Sequence, residues 1–155
     1  MTGANGFVGS HLAKQAIDEG YEVFAAVRKQ SKFSSLEGLA LQMVYPDYNN
    51  LDDLIALLKD NKITHIAHVA GMTKAKSEKQ YILANVFVSR QLAIAVMQSG
   101  IQLEKFILVS SLAAMGPSDN SELINEASVC NPVSQYGKSK LLAEQALLEI
   151  EGLPL

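Results

Sequence analysis

The spacing of apolar and polar positions changes several times along this chain, and each change marks an element. From Gly6 to Glu19, Val8, Leu12, Ala13, Ala16 and Ile17 recur at helical intervals, and Gly20 supplies a stop. Tyr21 to Val27 (YEVFAAV) is a short run rich in β-formers, and Leu41 to Tyr45 (LQMVY) alternates up to Pro46; both predict strands. Asn50 with Asp53 three residues on predicts a helix N-cap, followed by an apolar stripe over Leu51 to Lys59. Thr64 to Ala70 (THIAHVA) predicts a third strand. Ser77 and Gln80 have the capping-box spacing and open a long helix to Ser99, which Gly100 ends. Lys105 to Val109 (KFILV) predicts a fourth strand, Gly116 to Pro132 a polar loop, and Gln135 to Ile150 a last helix ending at Gly152.

Strands alternating with helices predict one α/β domain over residues 1–155, with parallel strands joined by right-handed crossovers. Its 155 residues suffice for a core, and no repeat or linker divides them. A net charge of −3 without a basic block argues against nucleic-acid binding, where phosphate neutralisation supplies most of the affinity. No uninterrupted apolar run approaches the roughly 18 residues of a membrane span, and no leader pattern opens the chain. Cys130 is the single cysteine, so no internal disulfide can form. These features predict a soluble, cytoplasmic domain. His11, His65 and His68 lack partners at metal-site spacing, so no metal site is predicted.

The opening Thr2-Gly3-Ala4-Asn5-Gly6-Phe7-Val8-Gly9 sets three glycines three apart, directly before a helical pattern. Missing Cβ atoms let backbone N–H groups reach a pyrophosphate at a helix N-terminus. A glycine-rich turn that merely starts a helix is the plainer reading. The predicted strand Tyr21–Val27 ends at Arg28, with Lys29 and Lys32 beyond. An acidic residue there would bond a ribose 2′-OH, whereas a cation suits a 2′-phosphate, so NADP is favoured and NAD remains open. Tyr136 and Lys140 lie four apart on one helix face. A nearby ammonium favours a phenolate, which turns such a pair into a proton donor and acceptor for a carbonyl or alcohol. Ser111, at the end of the fourth strand, lies where open parallel sheets place ligands.

In sum these motifs resemble the short-chain dehydrogenase/reductase superfamily, in its extended, epimerase/dehydratase-like branch. Thr2 to Gly9 is similar to T-G-x-x-G-x-x-G, His68-Val69-Ala70-Gly71 to H-x-A-[AG], and Asn85-Val86 to the Asn-Val pair of the long helix. Val109-Ser110-Ser111 resembles the serine strand end, and Pro132 to Lys140 resembles P-x-S-x-Y-G-x-S-K. The resemblance implies a Rossmann-type doubly wound parallel sheet that binds NAD(P). It implies Gly3, Asn5, Gly6, Phe7, Val8 and Gly9 at the diphosphate, Arg28 at a 2′-phosphate and Asp47 at adenine. Val69, Ala70, Gly71 and Asn85 would run beside the cofactor. Tyr136 would be the acid/base and also a cofactor contact, Lys140 its tuning cation and ribose contact, and Ser111 the substrate-orienting hydroxyl. Ala26-Val27-Arg28 is similar to the dihydroflavonol-reductase group, whereas Ala114-Met115-Gly116 departs from the family's x-Tyr-Gly.

Two departures from the pattern lie at the ends. Met1 stands where the family's first strand finishes, so that strand is expected to be absent, as is the C-terminal substrate portion. Poor turnover by these 155 residues alone is the corresponding expectation. The function implied is hydride transfer on a sugar nucleotide or small carbonyl or alcohol; a non-catalytic dinucleotide sensor or scaffold is the alternative. A small-molecule substrate is the partner expected, and a homodimer the assembly to test.

Overall fold

The computed structural model describes residues 1–118 and 123–155. Its strands are β1 (Val23–Ala26), β2 (Leu41–Val44), β3 (His65–His68) and β4 (Lys105–Leu108). Its helices are α1 (Phe7–Asp18), α2 (Leu51–Asp60), α3 (Glu78–Tyr81), α4 (Val88–Ser99) and α5 (Gln135–Leu148). β1 pairs with β2 and β3 with β4, both in parallel, with Val23 opposite Leu41 and His65 opposite Lys105.

What joins the two pairs is Thr2, which bridges Ala26 on one side and His68 on the other. The N-terminal ammonium of Met1 donates to the Phe24 carbonyl at 2.7 Å, and the Ala26 N–H donates to the Met1 carbonyl at 2.8 Å. Thr2 N–H donates to Ala67 O at 3.0 Å, and Val69 N–H to Thr2 O at 3.3 Å. The first strand is thus not wholly absent, because two residues keep its central place. The resulting order, β2-β1-Thr2-β3-β4, is the one that puts a crevice at the carboxyl ends of the central strands.

Alternation along the strands assigns a helix layer to each face. Ile66 and Phe106 face Leu54 and Leu58 of α2, Leu92 and Val96 of α4 and Leu147 of α5, forming the larger core. Ala25 and Val27 point the other way, into a smaller core with Ala4 and Leu36, on the side where α1 buries Gly9 and Ala13.

Helix starts follow the capping chemistry. The Asn50 side chain accepts from Asp53 N–H and donates to the Asp53 carboxylate at 2.7 Å, satisfying one orphan amide of α2. Asn50→Ala is therefore expected to lower stability by about 1 kcal/mol, read as a lower urea midpoint at unchanged slope; an unchanged midpoint would rule the cap out as a contributor.

The predicted long helix begins at Ser77 and closes at Gly100 (φ 68°), but Ile82–Phe87 between α3 and α4 is π-helical. An inserted residue leaves the apolar spacing almost unchanged, so the sequence period does not disclose it. The whole stretch Glu78–Ser99 is long and apolar enough to cross a membrane by length and composition, which the count of uninterrupted apolar runs did not foresee. Here its buried residues pack into the core. Of the predicted polar loop Gly116–Pro132, residues 119–122 lie outside the described residues.

Candidate active site

Four segments converge at the carboxyl ends of the strands. The first is the glycine turn. Gly3 adopts φ 65°, and a Cβ there would lie 2.7 Å from the Ala70 nitrogen. One on Gly9 would collide with the Gly3 carbonyl, so α1 can start against the turn only if position 9 is bare. Gly6 caps α1 without any side-chain hydrogen bond, while Phe7 and Val8 are exposed. The first amides of α1 therefore have no capping side chain, and an anion such as a diphosphate could be held there.

The second segment is the loop after β1. Asn5 Nδ2 donates to Lys32 O at 3.2 Å, and Ser35 Oγ donates to Asn5 O at 2.9 Å, so this loop leans on the glycine turn. Asn5 thus has a structural role in addition to its place in the motif. Arg28, Lys29 and Lys32 are exposed beside it.

Third is the end of β3. Ala70 N–H donates to Thr2 Oγ1 at 3.1 Å, which fixes Val69-Ala70-Gly71 against the turn. The π-helical segment aims Asn85 inward, 1% exposed. Its Oδ1 accepts from Met72 N–H at 2.7 Å, and its Nδ2 donates to Met72 O and to Ser139 Oγ at 2.9 Å. Asn85 therefore ties the chain after Gly71 to α5.

The fourth segment joins the end of β4 to the start of α5. Ser134 caps α5 by accepting from Gly137 N–H at 2.9 Å. A Cβ on Gly137 would strike the Ala113 carbonyl, so the bare position lets α5 seat against the 3₁₀ turn Leu112–Ala114. Ser111 caps that turn, its Oγ accepting from Ala113 N–H at 3.2 Å and keeping its own proton for an acceptor. Tyr136 is half-buried with its ring 6.2 Å from that of Tyr81. One turn on, Lys140 is 3% exposed and its Nζ donates to Val109 O at 2.8 Å. Burial pushes the Lys140 ammonium below its usual value of 10.5, and the Glu144 carboxylate opposes that. A Cβ on Gly71 would lie 3.9 Å from Nζ, so ammonium and β3 end face one space.

Asp47 sits apart from these four. Its Oδ1 accepts from Asn49 N–H at 2.9 Å, and it borders a groove of about 920 Å³ between the loop after β2 and the segment Met72–Val88. Tyr48, Lys74, Gln80, Leu83 and Phe87 also line this groove.

The chain as a whole is similar to proteins of known class. A model of the NAD dependent epimerase/dehydratase family matches residues 1–152. The chain belongs to that family. A Synechocystis protein named for dihydroflavonol 4-reductase is 30% identical to this member over 152 residues, 96% of this chain and 43% of its own length. The UDP-glucose 4-epimerase of Yersinia pestis is 29% identical over 163 residues, with 97% and 47% covered. Among solved structures, MoeE5 in complex with UDP-glucuronic acid and NAD superposes with a TM-score of 0.78 at 30% identity, covering 95% of this chain and 47% of that one. This family member thus spans about half the length of the relatives it matches.

Reasoning from sequence missed Ser89 and Glu144, and it gave Ser110 and Ser139 as motif positions without a role. For Ser89 the one signal was polarity a turn from Asn85 on an apolar face.

Proposed function

We propose that this chain forms the dinucleotide-binding and proton-transfer half of an NAD(P)-dependent oxidoreductase or epimerase/dehydratase. The observation that carries this reading is the docking of α5 on the end of β4, which brings Lys140 beside Gly71, with Tyr136 one turn before it on the same helix. In this reading the uncapped amides of α1 hold the diphosphate, and Lys140 reaches the nicotinamide ribose. Asp47 accepts from the adenine amino group. When bound, the nicotinamide accepts or returns a hydride. Tyr136 takes the proton from a substrate hydroxyl, or gives one to a carbonyl oxygen, while Ser111 holds that oxygen by its free proton. A sugar nucleotide or a small carbonyl or alcohol is the substrate class. Tyr136, Lys140 and Ser111 are all retained, and a dinucleotide sensor has no use for the phenol.

NADP is the preferred form in this reading. Arg28 is exposed at the end of β1, in the loop that Asn5 ties to the glycine turn. A guanidinium there can grip a 2′-phosphate with two parallel hydrogen bonds. Arg28→Ala is expected to weaken NADP binding about tenfold, since a charge-assisted hydrogen bond is worth roughly 1.5–3 kcal/mol. NAD binding is expected to stay within about twofold. Titration calorimetry on the full-length protein tests both levels. Wild-type affinity for NAD equal to or above that for NADP would remove the preference, and no uptake of either nucleotide would remove the functional reading.

A further inference from the structure

Tyr136, Lys140 and Glu144 follow one another at intervals of four, so α5 presents them on three successive turns of one face. Two of the three are fastened to consecutive residues at the end of β4. Lys140 Nζ donates to the Val109 carbonyl, and Ser110 Oγ donates to Glu144 Oε1. The next residue along that strand end is Ser111. Helix and strand end are thus joined at two points, and the chain leaves the second of them straight into the hydroxyl that faces substrate.

We propose that Glu144 is a positioning residue of this site: by holding Ser110 it keeps the end of β4, and with it Ser111, in register with the turn of α5 that carries Tyr136. The inference rests on the reading of Tyr136, Lys140 and Ser111 given above and adds a fourth side chain to it.

The chemistry of the pair supports the role. Lys140 is almost fully buried, and a buried ammonium without compensation is costly. Its close hydrogen bond goes to a neutral carbonyl, so opposite charge has to come from elsewhere. Glu144 supplies it through space, while its direct contact is with Ser110. Among the described residues His68 of β3, held neutral by burial, also feels the charge of Lys140, and the Tyr136 phenol stands one turn before that lysine on α5; Asn85 of the π-helical segment adds no charge. One half-buried carboxylate therefore serves both as the anchor for a strand end and as the counter-charge for the neighbouring lysine.

The two parts separate by mutation in the full-length protein. Glu144→Gln keeps an oxygen that accepts from Ser110 and removes the charge. Ser110→Ala keeps the charge and removes the anchor. Glu144→Gln is expected to move the alkaline limb of the kcat/KM profile to lower pH, since the ammonium loses its counter-charge, and to lower kcat several-fold. Ser110→Ala is expected to leave the limb in place, to raise KM and to lower kcat/KM about tenfold, with dinucleotide Kd unchanged in both variants. The inference is overturned if Ser110→Ala stays within twofold of wild type in kcat/KM. It is equally overturned if either variant lowers Tm while kcat, KM and the profile do not move, which is what a purely structural bond would give. Should Glu144→Gln fail to fold, the Ser110→Ala result decides alone. Tyr136→Phe separates the two levels. If that variant still turns over, the reading of the site fails; if it is inactive while the Glu144 and Ser110 variants are silent, only the present inference fails.

Discussion

Tyr136→Phe in the full-length protein is expected to lower kcat by roughly 10²–10⁴, the range that removal of a placed general acid or base produces, while dinucleotide Kd stays within about twofold. The asymmetry follows from where the phenol stands. Tyr136 opens α5 with its ring beside Tyr81, and the hydrogen bonds that fasten the glycine turn to the loop after β1 run through Asn5, Lys32 and Ser35 and do not involve it. Phe keeps the ring and its contact with Tyr81, so the helix start should remain docked through Ser134 and Gly137. What disappears is one hydroxyl, the oxygen together with the proton it carries. Rapid-mixing turnover and nucleotide titration on the same preparation check the prediction. A variant that retains more than about a tenth of wild-type kcat would show that the proton travels by another group, and the assignment of Tyr136 would be abandoned.

The alternation of elements was legible because it depends on local rules. Asn50, Ser77 and Gly100 occupy the cap positions that their chemistry predicts, and each strand run became a shorter strand, Leu41 and Lys105 keeping their predicted starts. The glycine turn was legible for a related reason, since a missing Cβ is written in the sequence even though its neighbour, the Gly3 carbonyl for Gly9, is not. Long-range pairing was not legible. Nothing in Thr2 announces that it would bridge Ala26 and His68, because both contacts are long-range, the one to His68 spanning 66 residues, and are decided by the sheet. The π-helical turn escaped because it alters spacing by one residue in a stretch apolar on most sides. Glu144 escaped for a different reason: a glutamate in the middle of a helix reads as a solvated residue unless the position of Ser110 is known.

The same buried polar chain gives the second large prediction, which concerns acid. His68 is fully buried between two hydroxyls, with Nδ1 2.6 Å from Thr2 Oγ1 and Nε2 2.8 Å from Ser89 Oγ. Ser89 spends its proton on the Asn85 carbonyl at 2.6 Å, so Nε2 must be the donor and Nδ1 the acceptor of the Thr2 proton. Thr2 Oγ1 in turn accepts from Ala70 N–H. Only a neutral imidazole satisfies this chain, and burial, helped by the positive charge of Lys140, pulls His68 from 6.5 down to about 3. An unfolded chain therefore binds one more proton than the folded one between those two values. Stability from this group is complete above pH 6.5 and falls as the pH drops, at about 1.4 kcal/mol per unit. At pH 5 the loss is about 2 kcal/mol. Protonation of the folded protein would force Nδ1 to present an N–H toward Thr2 and strain the tie between the glycine turn and β3, so dinucleotide affinity should hold at pH 5 and weaken only as the pH approaches about 3. Urea unfolding at pH 7 and pH 5, on wild type and on His68→Gln, separates this group from every other: the variant should lose about 2 kcal/mol less than wild type over that interval. Equal losses in the two proteins would mean that the imidazole is not held neutral by its burial, and the hydrogen-bond order from Thr2 to Asn85 would have to be reversed or broken.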